Sequence, residues 1–465
     1  MQNMKKEMRF FGQLVEKIIQ REESIPVTLP IENHKVIKQL NLEFSDEGIN
    51  DQDWEKLIEI VTMNTPKTAS KLFFNQLYGG RQPKAVVGDL LAVILNNSMY
   101  TYKVSGPQAG VEKVILSKIC KLINYPSSAD GSIAPGGSMS NFMALVMARD
   151  SVAKNTPNAG VSCKMTLYTS KESHYSIPKN AAFAGIGRDQ VRFIKTNKKG
   201  EMDIRHLNDT IEEDKNQGYI PFFVNATAGT TVLGAFDDID AIHKVCKKHD
   251  LWLHVDGAYC GGVIFSKKYQ SLVKGIEQSD SFSVNAHKMM GTPITCSIIV
   301  TKNKKNLSKS FSNEAEYLYQ NDDEDFDLGK TSLQCGRRND ALKFWTLWKS
   351  IGNNGLEKLI NKQFYLADIA RDYIKNHPDY TLYSFENSIS VCFNYKDIPA
   401  KEICTLLYEE AHAMVGYGKF GSTEFIRLIT INANNLKEDI IHFFEVFENG
   451  AKKLELNHSI SLNTV

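Results

Sequence analysis

The feature that most constrains the fold is an alternation of strand-like and helix-like segments between about residues 110 and 300. Apolar residues recur at helical spacing in residues 111–122, 141–153 and 237–249. Short apolar runs typical of buried strands occupy residues 165–169, 191–196, 220–225, 251–256, 281–286 and 295–301. Alternation of this kind predicts a largely parallel or mixed sheet that is covered by helices.

The sequence pattern divides the chain into three regions. Residues 1–65 are expected to form an N-terminal helical segment, because residues 8–22 place apolar side chains on one helical face. Residues 66–350 form a large domain that contains the alternating segments. Residues 351–465 form a small C-terminal α/β domain, in which predicted helices and strands again alternate.

Composition argues against several kinds of partner and cofactor. The 55 basic and 54 acidic residues leave a net charge of +1, so we expect no nucleic-acid partner and no anionic membrane partner. The eight cysteines include no CxxC pair, and we expect no metal site. Polar residues interrupt the N-terminal sequence, unlike a signal peptide, and no apolar run is long enough to span a membrane. We therefore expect a cytoplasmic, reduced protein.

Two charged residues stand where strand-like runs end. Asp256 closes the run 251–256, and ligands of parallel α/β sheets bind beyond the carboxyl ends of strands. Lys288 lies in a tight bend after the run 281–286, where lost solvation would lower the pKa of its amine and make it a Schiff-base nucleophile. The alternatives are a capping or turn aspartate and a solvated turn lysine.

A Gly/Ser-rich turn, residues 132–141, precedes the helix-like segment 142–149. Free N–H groups and the helix dipole make such a helix start a phosphate site, although an ordinary capped helix has the same pattern. A phosphate site, an imine-forming lysine and an acidic partner for a ring nitrogen together suit pyridoxal 5′-phosphate (PLP). We therefore predict PLP as the cofactor.

Seven short motifs point to one protein family. They are residues 73–77 (FFNQL), 135–141 (PGGSMSN), 173–176 (SHYS), 224–231 (VNATAGTT), 252–256 (WLHVD), 285–291 (NAHKMMG) and 334–337 (QCGR). In order and spacing they resemble the group II PLP-dependent amino-acid decarboxylases, in particular the glutamate, cysteine-sulfinate and aspartate decarboxylase branch. The resemblance covers roughly residues 60–450. It implies the α/β, type I PLP-dependent (aspartate-aminotransferase-like) fold, with a large mixed-sheet domain and a small C-terminal α/β domain.

The resemblance also implies which residues contact the cofactor. They comprise the phosphate contacts, the ring contacts and the imine lysine: Ser138, Met139, Ser140, His174, Thr227, Asp256, Ala258, Asn285, His287 and Lys288. In this arrangement His174 stacks on the ring and Asp256 pairs with the ring nitrogen. The alternatives are a structural role for His174 and a strand-end turn role for Thr227.

Four residues would carry catalysis by the same resemblance: Lys288, His174, Tyr317 and Asp256. Tyr317 lies in a polar segment, residues 303–332, and would donate the proton that Cα receives after CO₂ leaves. His174 would help to position that tyrosine. Polar segments of this length in compact enzymes are commonly functional loops or solvated insertions.

Gln76 and Arg427 are the candidates for binding the substrate's carboxylates. The guanidinium of an arginine suits a carboxylate because it donates two parallel hydrogen bonds, although Arg427 could instead form a buried structural salt bridge. Two positions depart from the family: Lys103 stands where a glutamate is usual and Gly106 where a proline is usual. These departures either change side-chain selectivity or are compensated exchanges at the surface.

The predicted activity is PLP-dependent α-decarboxylation of an L-amino acid, most readily an acidic one, to the amine and CO₂. The alternatives are a non-acidic amino-acid substrate, decarboxylation with oxidative deamination on the same fold, and an inactive relative with a binding role. The resemblance further implies a homodimer with shared active sites. The N-terminal helix would then be exchanged between subunits, whereas the simpler alternative packs it on its own core.

Overall fold

The computed structural model describes residues 2–23, 26–312 and 325–463, apart from the side chains of 2–3 and 458–463. The helices are α1 (Gln2–Glu22), α2 (Val36–Gln39), α3 (Asp51–Asn64), α4 (Pro83–Leu95), α5 (Tyr102–Ser105), α6 (Pro107–Leu122), α7 (Gly137–Val152), α8 (Thr156–Ala159), α9 (Ser176–Phe183), α10 (Ile204–Asn216), α11 (Ile239–His249), α12 (Lys305–Phe311), α13 (Ala341–Lys375), α14 (Ala400–Glu409) and α15 (Lys437–Asn463). The strands are β1 (Phe73–Phe74), β2 (Asp130–Ala134), β3 (Met165–Ser170), β4 (Val191–Ile194), β5 (Ile220–Thr227), β6 (Trp252–Gly257), β7 (Ser281–Asn285), β8 (Ser297–Thr301), β9 (Tyr380–Leu382), β10 (Ser390–Tyr395), β11 (Met414–Phe420) and β12 (Thr423–Ile429).

The chain forms two compact units. One unit, called the large unit below, consists of Arg81–Tyr365 and Phe385–Ile389. The other, called the small unit, combines Met1–Gly80, Leu366–Ser384 and Ser390–Val465. The N-terminal segment is therefore grouped with the C-terminal strands and helices, by contacts between residues far apart in the sequence.

A seven-stranded sheet forms the centre of the large unit, in the order β2-β8-β7-β6-β5-β3-β4. Neighbours from β7 to β4 pair in parallel, whereas β8 pairs antiparallel with both β7 and β2. The predicted mixed sheet is thus confirmed. The sequence pattern missed β2, a short strand that the apolar runs did not reveal.

The central strands of this sheet place their carboxyl ends side by side. Every residue of β6 and β7 is buried, as expected for parallel strands that are covered on both faces. Thr227 at the end of β5 lies beside Asp256, and Asp256 lies beside Ser283 of β7. The polar residues that follow these strands therefore meet at one edge of the sheet.

Helix α11 shows how local chemistry ends one element and begins the next. Asp238 caps its N-terminus, because Asp238 Oδ1 accepts the Ala241 N–H at 3.0 Å. Asp237 instead accepts backbone N–H groups from Met202 at 2.7 Å and from Thr227 at 2.8 Å. This buried carboxylate therefore fixes the end of β5.

The small unit has a five-stranded sheet in the order β1-β11-β12-β10-β9. Strand β1 pairs in parallel with β11, and the remaining neighbours are antiparallel. One face buries an aromatic-rich core in which the rings of Tyr373 and Phe444 stack with centroids 4.2 Å apart. In the described part of the chain, the helices are too short or too polar to cross a bilayer.

Candidate active site

A cavity of about 200 Å³ opens in the large unit where strands β5, β6 and β7 end and helix α7 begins. Its lining is polar and includes a lysine, an aspartate and two histidines: Gly137, Ser138, Asn141, His174, Tyr175, Thr227, Gly229, Thr231, Asp256, Ala258, Tyr259, Asn285, His287 and Lys288. Seven of the residues predicted to contact the cofactor therefore lie in one cavity together with Lys288.

Lys288 lies in the turn that follows β7, where its backbone N–H donates to Asn285 O at 3.1 Å. Its ammonium group lies 5.9 Å from the centroid of the Tyr259 ring. Loss of solvation lowers the pKa of Lys288 below the usual value for lysine, and the negative charge of Asp256 offsets part of that shift. A lowered pKa leaves more of the amine unprotonated and nucleophilic.

Asp256 is buried, and each of its carboxylate oxygens accepts a hydrogen bond. Oδ2 accepts from Asn141 Nδ2 at 2.7 Å, and Oδ1 accepts from the Ala258 N–H at 3.0 Å. Both contacts are donors, which suits an ionised carboxylate. Each oxygen keeps a lone pair that can accept a further proton donor from a ligand.

The turn before α7 packs tightly against the ends of the neighbouring strands. Gly136 has φ 103°, a conformation that favours glycine. A Cβ atom at Gly137 would lie 2.9 Å from Asn285 Nδ2 and 3.1 Å from Ala258 Cβ. The absence of side chains here lets the helix start approach the cavity, where backbone N–H groups can bind an anion.

The residues of the predicted phosphate turn differ in their placement. Ser138 lines the cavity. The N–H groups of Met139 and Ser140 donate to Gly136 O at 3.0 and 3.2 Å, and the Met139 side chain packs on the hydrophobic core. Among the described residues, Met139 and Ser140 do not line the cavity, and the buried Ser140 Oγ has no hydrogen-bond partner.

Two histidines of the cavity are held in neutral forms. His287 Nδ1 accepts the Cys296 N–H at 3.0 Å, and burial lowers the pKa of His287 from 6.5 to about 4. His174 Nδ1 accepts the Ser176 N–H at 3.2 Å, and burial also lowers its pKa. Neutral rings can stack on, or donate to, a ligand without adding positive charge beside Lys288.

The polar groups of the cavity fit PLP. Thr227 Oγ1 is buried at the cavity without a hydrogen-bond partner among the described residues, and a ligand hydroxyl or phenolate would satisfy it. Asp256 offers an acceptor for a protonated ring nitrogen, Lys288 an amine for an aldehyde, and the start of α7 an anion site for a phosphate. PLP carries each of these groups: a phenolic oxygen, a ring nitrogen, an aldehyde and a phosphate.

Gln76 and Arg427 lie in the small unit, and they share one cavity of about 340 Å³. Arg427 belongs to β12, between Cys392 of β10 and Gly416 of β11. Its Nη2 donates to Asn75 O at 3.4 Å. The two residues predicted to bind carboxylates are therefore brought together, although they are 351 positions apart.

The remaining predicted positions have different outcomes. Tyr317 lies outside the described residues. Lys103 is exposed on the short helix α5. Gly106 has φ 52°, which the ring of a proline cannot adopt, so the local backbone differs from one that carries the proline usual in the family.

Asn141 and His254 are site residues that the sequence interpretation left without a role. Asn141 contacts Asp256 directly, and His254 contacts Asn141 with its Nε2 3.1 Å from Asn141 Oδ1. The sequence did contain a pattern that could have identified His254: residues two apart on a strand point to the same face. His254 stands two positions before Asp256 on β6.

A lysine and a carboxylate at the ends of neighbouring strands, with a helix start beside them, define a PLP-dependent enzyme. Comparison with known proteins gives the same class. A family model described as "Pyridoxal-dependent decarboxylase conserved domain" matches residues 34–396. The chain belongs to this family and is a PLP-dependent decarboxylase, which confirms the predicted family, cofactor and enzyme class.

Individual relatives match most of the chain. Acidic amino acid decarboxylase GADL1 of Mus musculus is 36% identical over 425 residues, covering 86% of this chain and 77% of the relative. Cysteine sulfinic acid decarboxylase of Homo sapiens is 35% identical over 449 residues, covering 91% of both. The crystal structure of mouse CSAD superposes with a TM-score of 0.90 at 32% identity, covering 95% of this chain and 97% of that structure. The predicted type I fold is confirmed.

Proposed function

We propose that this protein removes the α-carboxyl group of an acidic L-amino acid, namely glutamate, aspartate or cysteine sulfinate, and releases the amine and CO₂. The observation that carries the reaction type is the cavity that combines Lys288 with Asp256 at the ends of adjacent strands. The acidic substrate is supported by the relatives named above, which are acidic amino acid and cysteine sulfinic acid decarboxylases.

PLP, when bound, supplies a protonated ring that accepts the electron pair left behind as CO₂ departs. Asp256 would hold the proton on the ring nitrogen, because its oxygens are oriented by donors and remain acceptors. Lys288 would hold the aldehyde carbon through its unprotonated amine. Ser138 and the N–H groups that begin α7 would hold the phosphate, with Asn285 and His287 as further contacts.

The substrate's acidic groups would be bound by Arg427 and Gln76. A guanidinium pairs with a carboxylate or sulfinate through charge-assisted hydrogen bonds, which are about twice as strong as neutral ones. Gln76 adds an amide that can donate to a second oxygen. Their common cavity supports the proposal because it groups a cation and an amide donor on one surface of the small unit.

The proposed assembly is a homodimer. Helix α4 exposes apolar side chains along most of its length, with Val87, Val93, Ile94 and Leu95 each more than half exposed. Apolar patches of this kind on soluble proteins mark association surfaces. Helix α1, which packs on α3 with Phe10 and Trp54 ring centroids 5.6 Å apart, also exposes apolar residues. A second copy of the chain would cover both helices.

The direct test of the function is CO₂ release from the PLP-loaded protein with a panel of about twenty amino acids and sulfinates. We expect release of CO₂ and formation of the matching amine with acidic members of the panel. Lys288→Ala is the matched control, and it should lose both turnover and the absorbance of bound cofactor while it stays folded. Preference for aromatic or basic amino acids would contradict the acidic substrate, and an active Lys288→Ala would contradict the site.

A further inference from the structure

A continuous chain of buried hydrogen bonds runs behind the carboxylate of Asp256. Trp252 Nε1 lies 2.9 Å from Ser281 Oγ, and that hydroxyl lies 2.9 Å from His254 Nδ1. On the other side of the imidazole, His254 Nε2 lies 3.1 Å from Asn141 Oδ1. Asn141 Nδ2 then donates to Asp256 Oδ2 at 2.7 Å. All five side chains are buried within the large unit.

The chain has a donor-only indole at one end and a carboxylate at the other, and one set of bond directions satisfies every member. Trp252 Nε1 can only donate, so Ser281 Oγ accepts from it, and the hydroxyl hydrogen can then point toward His254 Nδ1. A neutral His254 then carries its proton on Nε2 and donates it to Asn141 Oδ1. Asn141 is left with its amide N–H groups toward Asp256. In this arrangement every member of the chain has a matching partner, and the carboxylate meets a donor.

The protonation of His254 agrees with this direction. Burial lowers the pKa of His254 from 6.5 to about 4, which outweighs the opposite effects of the nearby Asp256 charge and of a hydrogen bond with the Ser281 backbone. A neutral imidazole has one donor nitrogen and one acceptor nitrogen. With its donor nitrogen toward Asn141 Oδ1 and its acceptor nitrogen toward the Ser281 hydroxyl, the neutral ring satisfies both neighbours.

Two further contacts of the Asn141 amide match the same orientation. Ser283 Oγ donates to Asn141 Oδ1 at 3.2 Å, which adds a second donor on the oxygen side. Asn141 Nδ2 also donates to Ser176 Oγ at 3.2 Å, which adds a second acceptor on the nitrogen side. The two hydroxyls could rotate to serve a reversed amide, but such an amide would set its oxygen against Asp256 Oδ2.

We propose that Asn141 and His254 are positioning residues that keep Asp256 an ionised, acceptor-only partner for the ring nitrogen of the cofactor. This inference rests on the role proposed above for Asp256. The Asn141 N–H on Oδ2 and the Ala258 N–H on Oδ1 both favour the charged carboxylate. The chain thus acts on the protonation of the ring through Asp256 and without contact to the ring itself.

The test compares two probes that differ only at the ring nitrogen: PLP and an analogue in which a C–H group replaces that nitrogen. Equilibrium dissociation constants of both probes are measured on the full-length apoprotein and its variants. Both probes form the same bond to Lys288 and carry the same phosphate. The ratio of the two constants therefore isolates the contact to the ring nitrogen from general damage to the site.

Four variants make the test specific. Asn141→Leu and His254→Leu should weaken PLP binding by roughly tenfold or more, the size of a lost hydrogen bond to a charged group, with a much smaller effect on the analogue. His254→Gln, whose amide can still donate to Asn141 Oδ1, should retain most of the preference for PLP. Tyr125→Phe, which removes a buried hydroxyl 2.7 Å from Ser279 Oγ outside the chain, should leave the ratio within about twofold of the parent's.

The variant Asp256→Ala tests the proposed contact of Asp256 with the ring nitrogen separately from the positioning role of Asn141 and His254. If the two leucine variants fail to fold, Ser281→Ala takes their place. If Asp256→Ala loses its preference for PLP while Asn141→Leu and His254→Leu weaken both probes equally, the positioning role is overturned and the role of Asp256 stands. If Asp256→Ala keeps the parental ratio, both are overturned. A selective loss in all three variants supports the inference.

Discussion

At the scale of single residues, the cavity gives Asp256 and Lys288 different surroundings, and these surroundings favour different protonation states. Asp256 receives two N–H donors and is therefore stabilised as a carboxylate. Lys288 has lost solvation without gaining, from any residue that the structure describes, a hydrogen bond that would hold its ammonium form, and the pKa of its amine is lowered. One group is thus prepared to hold a proton on a ligand and the other to attack a carbonyl carbon.

Asp256→Asn should retain cofactor but lose turnover. A neutral amide cannot stabilise a protonated ring, and its NH₂ would face either the Asn141 or the Ala258 donor. Because removal of one electrostatic stabiliser typically costs about 10²–10³-fold in kcat, a loss of that order is expected in steady-state assays. Asp280→Asn is the matched control, since Asp280 accepts the Leu253 N–H at 2.8 Å at the opposite ends of the strands. Turnover of Asp256→Asn within a few-fold of the parent would contradict the assignment.

Arg427→Met should decide whether the substrate is acidic. The loss of a charge-assisted hydrogen bond of about 1.5–3 kcal/mol corresponds to roughly a 10- to 150-fold fall in kcat/KM. That fall should be confined to acidic substrates. Arg371→Met is the control in the same unit, because its partner is Asp368, and it should lower stability without selecting among substrates. An equal loss for every substrate in Arg427→Met would indicate a structural ion pair instead.

At the scale of elements, strand β6 carries both the carboxylate of the site and the histidine behind it. Asp256 and His254 point to the same face because they are two residues apart. The neighbouring strands β5 and β7 add Thr227 and Ser283 in register with Asp256. A buried parallel strand thus brings polar side chains together without exposing them to water.

His254→Gln should reduce the acid sensitivity of folding. The folded pKa of His254 is about 4 against an unfolded 6.5, so between these values only the unfolded chain binds the proton, and stability falls as pH falls through that window. The slope is at most about 1.4 kcal/mol per pH unit for one group. His287 acts in the same direction, whereas Asp237, with its pKa raised to about 7 by burial, acts in the opposite one.

Urea unfolding at several pH values between 4.5 and 7 measures this slope. The free energy of unfolding of His254→Gln should change less steeply with pH than that of the parent. His34→Gln is the control, because His34 is exposed and its replacement should leave the slope unchanged. An unchanged slope in His254→Gln would show that His254 is not a buried neutral base.

At the scale of the whole molecule, helix α4 carries a group of exposed apolar side chains. In α4 the buried positions are small, namely Ala85, Gly88 and Ala92, while larger apolar residues face outward. A surface helix that contacts water has polar residues on its outer face, whereas the outer face of α4 is apolar. That distribution fits a helix that is covered by a second copy of the chain.

Ile94→Lys should convert the proposed dimer into monomers. A lysine ammonium cannot be buried in an apolar contact without losing solvation, which costs more than the contact contributes. Analytical ultracentrifugation over a range of protein concentrations measures the shift. Val152→Lys is the control, since Val152 is an exposed apolar residue on α7, outside the proposed contact. A parent protein that is monomeric at micromolar concentration would contradict the dimer.

Much of the fold and the chemistry of the site could be predicted from the sequence, because both rest on local patterns. Buried parallel strands appear as continuous apolar runs, and Asp256 and Lys288 stand at the ends of such runs. A glycine-rich turn before an apolar helix marks α7 in the same way. These features depend on neighbouring residues, so the order of the residues already contains them.

Only the tertiary structure decided which distant groups meet. Strand β2 is defined by its pairing with β8, and Asn141 reaches His254 and Asp256 across more than a hundred positions of the chain. Asp237 accepts the Thr227 N–H, whereas its neighbour Asp238 caps the next helix. Such contacts depend on the order of the strands in the sheet and on which distant side chains are buried together. The pattern of residues along the sequence gives neither. The sequence therefore determined the chemical groups of this protein, and the packing of the sheet determined their partners.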